Sequence, residues 1–163
     1  MPNYNLQRFI NAQDEYNSYA RALQEMKRGE KTSHWIWYVF PQLGGFGHSP
    51  MSKLYAISNI EEAKQYLENQ TLYERLKEIT NAVLSHRGGD IVRIMGSHID
   101  ALKLRSSMTL FWCASRQMPP EQKGDPIFYD VIKTFYGGTF DEKTVAMLKN
   151  PSLKFYDNPN DKQ

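Results

Sequence analysis

Apolar positions recur at helical spacing along most of the chain, and the clearest stripe begins at position 72. Its members Leu72, Leu76, Ile79 and Val83 are three or four residues apart, so they share one face of an α-helix. Gly88-Gly89 follows this stripe and predicts the end of the helix. The same spacing predicts further helices near 16–28, 60–67, 98–114, 126–135 and 141–148.

These patterns predict an all-α fold. We expect a single compact domain of orthogonally packed helices over residues 1–150, with helices 71–86 and 98–114 forming its central packing. Residues 151–163 are polar and rich in turn-forming residues, which predicts a flexible C-terminal tail.

Helix starts are marked by capping residues. Ser49-Pro50 and Asp125-Pro126 each combine an N-cap side chain with a proline at the first helical position, and Asp141 predicts another N-cap. Residues 58–61 and 71–74 have the spacing of capping boxes. The sequence therefore indicates where several of the helices begin.

One apolar run departs from helical spacing. Residues 35–40 are continuously apolar, and their aromatic and β-branched side chains favour a buried strand, although six residues are too few for periodicity to decide. The run holds Trp35 and Trp37, and the glycine-rich segment 44–48 follows it closely. Such a segment is typical either of a ligand-pocket wall or of a core followed by a turn.

Composition narrows the class of protein. The 163 residues carry a net charge of +2 with no concentrated basic cluster, which argues against nucleic acid as a partner. The single cysteine, Cys113, excludes an intrachain disulfide and fits a reducing compartment. The chain has neither a signal-peptide pattern nor an apolar run of the ~20 residues that span a membrane. We expect a soluble cytoplasmic protein with no membrane partner.

Strong catalytic signatures are missing from the sequence. It contains no Walker loop, no G-x-S-x-G elbow and no dinucleotide fingerprint. The four histidines share no spacing of i and i+4, so we predict no metal site and no cofactor. The sequence leaves open whether the protein is an enzyme.

The remaining candidates each have a structural and a functional interpretation. His34 is a candidate acid or base, or a hydrogen-bonded structural histidine. Ser49 and Ser52 either cap a helix or expose its first amides to an anion. Lys103 either binds an anion together with Ser107, one turn away, or is a solvated lysine. Of the two tryptophans, one can be buried while the other lines a cleft. The candidate ligand-binding residues are Trp35, Trp37, Gln42, Ser49, Ser52, Tyr55, Lys103, Ser106, Ser107 and Thr109.

Three ordered motifs resemble a known bacterial family. They are Ser33-His34-Trp35-x-Trp37-x-x-Phe40-Pro41-Gln42, Ser49-Pro50-x-Ser52-x-x-Tyr55 and Asp100-x-x-Lys103-Leu104-x-Ser106-Ser107-Met108-Thr109. The chain resembles the family called domain of unknown function 1810 from Leu6 to Leu148. The resemblance implies one mainly helical domain, so residues 35–40 would be helical against their propensity. It carries no settled activity; some members are labelled calpastatin, and nothing in this sequence supports a protease inhibitor. Residues 116–123 depart from the family as an insertion-like segment.

A fainter resemblance concerns residues 33–35, which are similar to a segment of the NADAR family. That family is linked to ADP-ribose and related N-glycosidic chemistry. The glutamate that precedes the histidine in that family is missing here. The similarity therefore suggests a ligand class and not a reaction.

Three functional hypotheses follow. The first is a domain that binds or processes a small anionic ligand, including nucleotide- and ADP-ribose-related molecules, in a groove lined by 33–42, 49–55 and 103–109. The second is a non-catalytic interaction module that docks a protein of unknown identity on the aromatic patch. The third, single-stranded RNA binding by stacking, needs a basic groove.

Overall fold

Helices provide nearly all the regular structure of residues 2–122 and 126–150, which the computed structural model describes. In chain order they are α1 (Gln7–Asp14), α2 (Ser18–Arg28), α3 (Ile36–Val39), α4 (Pro50–Leu54), α5 (Ile60–Glu68), α6 (Gln70–Leu84), α7 (Ile91–Met95), α8 (His98–Arg116), α9 (Ile127–Phe135) and α10 (Glu142–Lys149). Within those ranges, strand-like pairing is limited to one isolated parallel bridge between Leu43 and Ile57. The all-α prediction is confirmed.

The longest helix, α8, lies at the centre of the packing. It contacts α3, α5, α7, α9 and α10, and its Leu104, Met108 and Phe111 are fully buried. The stripe predicted from position 72 forms the buried face of α6, which packs on α2, α5 and α9. Each such side chain contributes roughly 1.5–3 kcal/mol when it is removed from water. The two helices expected at the centre therefore both pack against α5 and α9.

Two predicted caps occur where the sequence indicated. Ser49 Oγ accepts a hydrogen bond from the Ser52 amide at 3.1 Å, with Pro50 as the first residue of α4. Asp141 Oδ2 accepts the Thr144 amide at 3.2 Å and begins α10. Each bond satisfies an amide that has no partner within its own helix.

The two predicted capping boxes are displaced. Helix α5 is capped by Asn59, whose Oδ1 accepts the Glu62 amide at 2.9 Å, and α6 is capped by Asn69. The reciprocal bond of the first box runs from the Ser58 amide to Glu62 Oε1 at 2.8 Å. Asparagine matches serine and exceeds threonine as an N-cap, so Asn59 replaces Ser58 one residue later and Asn69 replaces Thr71 two residues earlier. Asp125, a further predicted cap, lies outside the described residues.

The run 35–40 is helical and not a strand. The Val39 amide bonds to the Trp35 carbonyl and the Phe40 amide bonds to the Ile36 carbonyl, which closes one short turn. A strand must share its hydrogen bonds with a neighbouring strand, whereas a helical turn satisfies them internally. The strand favoured by propensity is wrong, and the helix implied by the family resemblance is confirmed.

The helix predicted near 16–28 begins later than its spacing suggested. Tyr16 and Asn17 have φ values of 53° and 56°, in the left-handed region, and they separate α1 from α2. Gly29, at φ 86°, ends α2 as predicted. The predicted tail 151–163 lies outside the described residues. No helix in the described ranges has both the length and the apolarity to cross a bilayer.

Candidate functional site

A narrow cleft lies where α3, α4 and α8 meet. Its lining residues are Ile36, Trp37, Phe40, Gln42, Ser52, Tyr55 and Lys103. The cleft and its open mouth enclose about 250 Å³, but a water-sized sphere can enter only about 10 Å³ of it. The three segments 33–42, 49–55 and 103–109, which are far apart in sequence, thus meet at one place.

Local backbone structure explains why these residues share the cleft. Ile36, Trp37 and Phe40 are spaced i, i+1 and i+4, so one turn of α3 puts them on the same side. The Leu43–Ile57 bridge then brings the chain back from α4. Its hydrogen bonds run from the Gly44 amide to the Ile57 carbonyl at 2.8 Å and from the Ile57 amide to the Gln42 carbonyl at 3.0 Å.

The cation of the cleft is Lys103, whose ammonium lies 5.5 Å from the centre of the Trp37 ring. Both side chains are half-buried. The indole N–H of Trp37 is buried and has no hydrogen-bond partner in the described structure. Lys103 is the one charged residue of the lining, since none of the other six is Asp, Glu, Arg or His. The cleft therefore presents positive charge beside an unpaired donor.

Tyr55 adds a protonated hydroxyl to the lining. Burial, reinforced by the neighbouring Tyr38 and Glu15, raises the pKa of Tyr55 above its usual value. Its ring packs on those of Tyr38 and Phe9, with centroid distances of 5.3 and 5.9 Å. The phenol is consequently a neutral hydrogen-bond donor at physiological pH.

Ser49 and Ser52 serve chiefly as a capping pair. Their hydroxyl oxygens are 2.6 Å apart, and the Ser52 amide is bonded to Ser49. Ser52 lines the cleft, whereas Ser49 is not part of the lining. That amide is therefore already occupied and is not offered to an anion.

His34 and Trp35 do not line the cleft. His34 is exposed, and Trp35 is only 1% exposed. The Trp35 indole N–H donates to Glu25 Oε1 at 2.9 Å. A stacking role at this cleft consequently belongs to Trp37 and not to Trp35.

The hydroxyls of α8 divide between two surroundings. Ser106 Oγ donates to Asp141 Oδ2 at 3.0 Å, and Thr109 Oγ1 accepts the Asp141 amide at 3.0 Å. These two residues dock the start of α10 and do not line the cleft. Ser107, one turn after Lys103, is fully buried, and its hydroxyl has no hydrogen-bond partner in the described structure.

Glu25, a residue that no sequence motif singled out, is a buried carboxylate and only 3% exposed. It accepts the amides of Thr32 and Ser33 at 2.7 and 3.0 Å, the Ser33 hydroxyl, and the Trp35 N–H. Burial acts to raise the pKa of Glu25, but these hydrogen bonds outweigh it and lower the pKa to about 2. Glu25 follows Ala22 by three residues, so helical spacing puts it on the buried face of α2. A charged residue at a position that spacing assigns to the core was the sequence signal for a buried carboxylate.

A buried charge pair lies beside Glu25. The Lys31 ammonium is 2.8 Å from Asp100 Oδ2, and these side chains are 6% and 12% exposed. The same ammonium donates to the Ser33 carbonyl at 2.6 Å and lies 4.9 Å from the centre of the Trp35 ring. We call Glu25, Lys31, Ser33, Trp35 and Asp100 the buried polar cluster.

Neither a metal site nor a reactive thiol is found in the described ranges. No group of three or more His, Cys, Asp and Glu residues there could hold a metal ion. Cys113 is half-buried, and burial raises the pKa of its thiol, which keeps it protonated and weakly nucleophilic.

Comparisons with known proteins agree on the family. The family model described as "Protein of unknown function (DUF1810)" matches residues 3–148. The chain is also similar to the crystal structure of the conserved hypothetical protein Rv1873 from Mycobacterium tuberculosis, with 40% sequence identity and a TM-score of 0.80. That match covers 90% of this chain and 97% of the other. A search of curated proteins found no match.

Proposed function

We propose, for a chain that belongs to the DUF1810 family, that the cleft between α3, α4 and α8 binds a small anionic ligand. The observation that carries the proposal is the Lys103 ammonium beside the Trp37 ring, whose buried N–H has no hydrogen-bond partner in the described structure, in a lining without a carboxylate. A lining of this kind attracts negative charge and offers no acidic group to repel it.

The strength of such a site follows from its partial burial. A hydrogen bond to a charged group contributes about 1.5–3 kcal/mol, and more when water is excluded. A buried donor left unpaired costs about 1–3 kcal/mol, which a ligand acceptor recovers. The two groups together can hold an anion without a metal or a second cation.

Cleft size limits the ligand. The space that a water-sized sphere can enter is about 10 Å³, far below the 300–1,000 Å³ of pockets that enclose drug-sized molecules. The cleft as it stands encloses no more than about one water molecule, so a small anionic group can bind at its mouth and a larger ligand requires the lining side chains to move apart. The relation to ADP-ribose suggested by residues 33–35 stays a prediction.

The proposal concerns binding and not a reaction. His34, the candidate acid or base, is outside the lining. The titratable groups of the lining are Lys103 and Tyr55, and the pKa of Tyr55 is raised further from neutrality. A general acid–base pair poised near pH 7 is not part of this lining.

An interaction module that uses the aromatic patch 33–42 is the alternative. Three of its rings, Trp35, Tyr38 and Phe40, are 1%, 9% and 1% exposed, which leaves Trp37 as the half-buried aromatic ring of the patch. Docking sites are usually built around several accessible aromatic side chains. Burial of these rings favours the cleft over the docking surface.

A thermal-shift screen tests the proposal. Wild-type protein is heated with carboxylates, phosphate monoesters and inorganic phosphate. A ligand at about 100 times its Kd should add about 2.7 kcal/mol of stability. The hits are then titrated by calorimetry into Lys103→Ala, where we expect affinity to fall at least about tenfold because the cation is lost.

Lys27→Ala supplies the charge-matched control. Lys27 is exposed on α2 and is not part of the cleft lining, so its loss lowers the net charge equally and should leave affinity unchanged. If both variants lowered the affinity for the anion equally, the loss would reflect general electrostatic attraction and not a contact with Lys103. A screen without any anion that binds would reject the proposal and return the docking surface to first place.

A further inference from the structure

We propose that residues 49–56, which include α4 and Tyr55, form a gate at the cleft and that the Arg8 side chain holds this gate closed. A water-sized sphere can enter only about 10 Å³ of the cleft, so a wall must move before any larger molecule can enter. The inference concerns the protein without ligand and does not depend on which anion binds. It is carried by the contacts of Arg8 and by the unequal burial of the cleft walls.

The walls of the cleft differ in how firmly they are packed. The α3 wall is part of the core, since Ile36 and Phe40 are both buried. The α4 wall is a helix of five residues, none of which is buried, and its Leu54 is 55% exposed. Segments with few buried apolar contacts separate from a fold at the lowest free-energy cost. The wall that moves is therefore the one that α4 and Tyr55 supply.

Arg8 of α1 holds the end of the gate. Its Nε donates to the Leu54 carbonyl at 2.9 Å, and its Nη2 donates to the Ala56 carbonyl at 2.8 Å. Its Nη1 donates to the carbonyls of Tyr4 and Asn5 at 2.6 and 2.9 Å. Hydrogen bonds from a charged donor are roughly twice as strong as neutral ones. One side chain thus joins the segment before α1 to the last residues of the gate.

A buried carboxylate fixes the position of Arg8. Its Nη2 lies 2.9 Å from Glu62 Oε2 on α5, and Glu62 is fully buried. The other oxygen of Glu62 accepts the Ser58 amide at 2.8 Å, two residues after the gate. The guanidinium carbon of Arg8 also lies 4.3 Å from the centre of the Phe9 ring. Because its charge is paired in the interior and it lies over a ring, the guanidinium stays directed at the gate carbonyls.

The two ends of the gate differ in the freedom of the backbone. After the gate, Ile57 is fully buried and bonded across the isolated bridge, so the chain is fixed there. Before the gate, residues 44–48 include three glycines, and Gly45 has a φ of 99°, in the region that favours glycine. Release of the two bonds to Arg8 therefore lets the gate turn away from the core and carry Ser52 and Tyr55 with it.

The Trp37 indole N–H reports such an opening. The Trp37 side chain shares the cleft lining with Ser52 and Tyr55, and its N–H is shielded from solvent without a hydrogen-bond partner in the described structure. Its exchange with deuterium is therefore slowed by burial alone and requires the cleft to open. The Trp35 N–H, which is bonded to Glu25 in the core, is the internal reference.

The experiment compares wild-type protein with Arg8→Lys. After transfer to D₂O, NMR follows the exchange of the Trp37 and Trp35 indole N–H groups in the same sample. Lysine keeps a positive charge beside Glu62 but cannot reach both gate carbonyls as the planar guanidinium does. We expect the ratio of the Trp37 to the Trp35 exchange rate to rise about 10- to 100-fold, because one or two charge-assisted hydrogen bonds to the gate are lost.

Two further variants assign the effect. Arg8→Gln combined with Glu62→Gln leaves no buried carboxylate unpaired, and it should raise the ratio in the same way. Arg21→Lys is the matched control, because Arg21 is exposed on α2 and donates to the Tyr16 carbonyl at 3.3 Å, outside the gate. It should leave the ratio unchanged.

The ratio stays interpretable when a variant is less stable, because global unfolding exposes both indole N–H groups alike. A higher ratio in Arg8→Lys and in the double variant, with Arg21→Lys at the wild-type value, supports the gate. A ratio that stays at the wild-type value in either Arg8 variant, or that rises equally in Arg21→Lys, overturns it.

Discussion

Two tryptophans, Trp35 and Trp37, are two residues apart in sequence, and each lies beside a lysine. The surroundings of the two pairs are opposite. Lys31 lies 4.9 Å from the centre of the Trp35 ring, and Lys103 lies 5.5 Å from that of Trp37. In the first pair the indole N–H is bonded to Glu25 and the ammonium to Asp100. In the second pair the indole N–H has no partner in the described structure, and a cleft adjoins both side chains.

The difference separates a structural site from a candidate binding site. Polar groups that satisfy one another in the interior hold the fold together and have little left to offer a ligand. A donor such as the Trp37 N–H, which stays unsatisfied beside a cleft, adds less to stability but can gain from an added partner. The buried polar cluster should therefore govern stability, and the cleft should govern binding.

The largest expected effect distinguishes the two tryptophans. Trp35→Ala should cost about 3–5 kcal/mol, because it leaves a large cavity and removes a donor from Glu25. That is a large part of the stability of a whole domain. Trp37→Ala should cost less than about 2 kcal/mol, since its side chain is half-buried and its N–H has no bond to lose. Urea denaturation followed by circular dichroism measures both, and equal losses would contradict the comparison.

The next effect distinguishes the two lysines by stability. Lys31→Ala removes the partner of a buried carboxylate, which typically costs about 3 kcal/mol or more. Lys64, which pairs with Glu61 at 3.4 Å on the surface, is the control, and Lys64→Ala should change stability by less than about 1 kcal/mol. If Lys31→Ala were as mild as the control, the cluster would not carry the stability assigned to it.

Acid should weaken the buried polar cluster before it affects the cleft. The pKa of Glu25 is lowered from 4.5 to about 2 in the folded protein, so its stabilisation is complete above about pH 5 and is lost as the pH falls toward 2. The difference corresponds to about 3 kcal/mol. Denaturation midpoints between pH 7 and pH 2 measure the loss. In Glu25→Gln this part of the pH dependence should disappear, whereas in Glu61→Gln it should persist.

The smallest expected effect belongs to the cleft lysine. Lys103→Ala should change the free energy of unfolding by less than about 1 kcal/mol, since a half-exposed ammonium beside a ring contributes roughly 0.5–1 kcal/mol. The measurement is the midpoint of urea denaturation without ligand. A loss as large as that of Lys31→Ala would make Lys103 a structural residue and would remove the cation on which the anion site depends.

The sequence pattern predicted the helices more readily than it predicted which polar residues stabilise the fold and which line the cleft. The stripe from Leu72 to Val83 predicted α6, because helical spacing and burial agree there. For residues 35–40, β-propensity predicted a strand and was wrong. The structure of a short buried segment depends on the surrounding elements more than on its own residues. A strand would have put Trp35 and Trp37 on one face, whereas a helical turn separates them by about 200°.

The candidate site was predictable only in part. Trp37, Gln42, Ser52, Tyr55 and Lys103 line one cleft, as their motifs suggested. The hydroxyls predicted with Lys103 were harder to place, because a helix presents residues at 103, 106, 107 and 109 in different directions. Two of them dock α10, a partner that spacing along α8 alone does not reveal.

The Leu43–Ile57 bridge has a consequence for how the cleft can vary among relatives. Leu43 and Ile57 are 5% and 0% exposed, so the segment between them leaves the core at one point and returns beside it. Doubling the length of such an excursion costs only about 0.6 kcal/mol of closure entropy. Insertions between Gly45 and Pro50 can therefore alter the wall that holds Ser52 and Tyr55 while the helices that hold Trp37 and Lys103 stay fixed. The cleft thus combines a wall that tolerates insertion with a wall fixed by core packing, so ligand preference can change without redesign of the core.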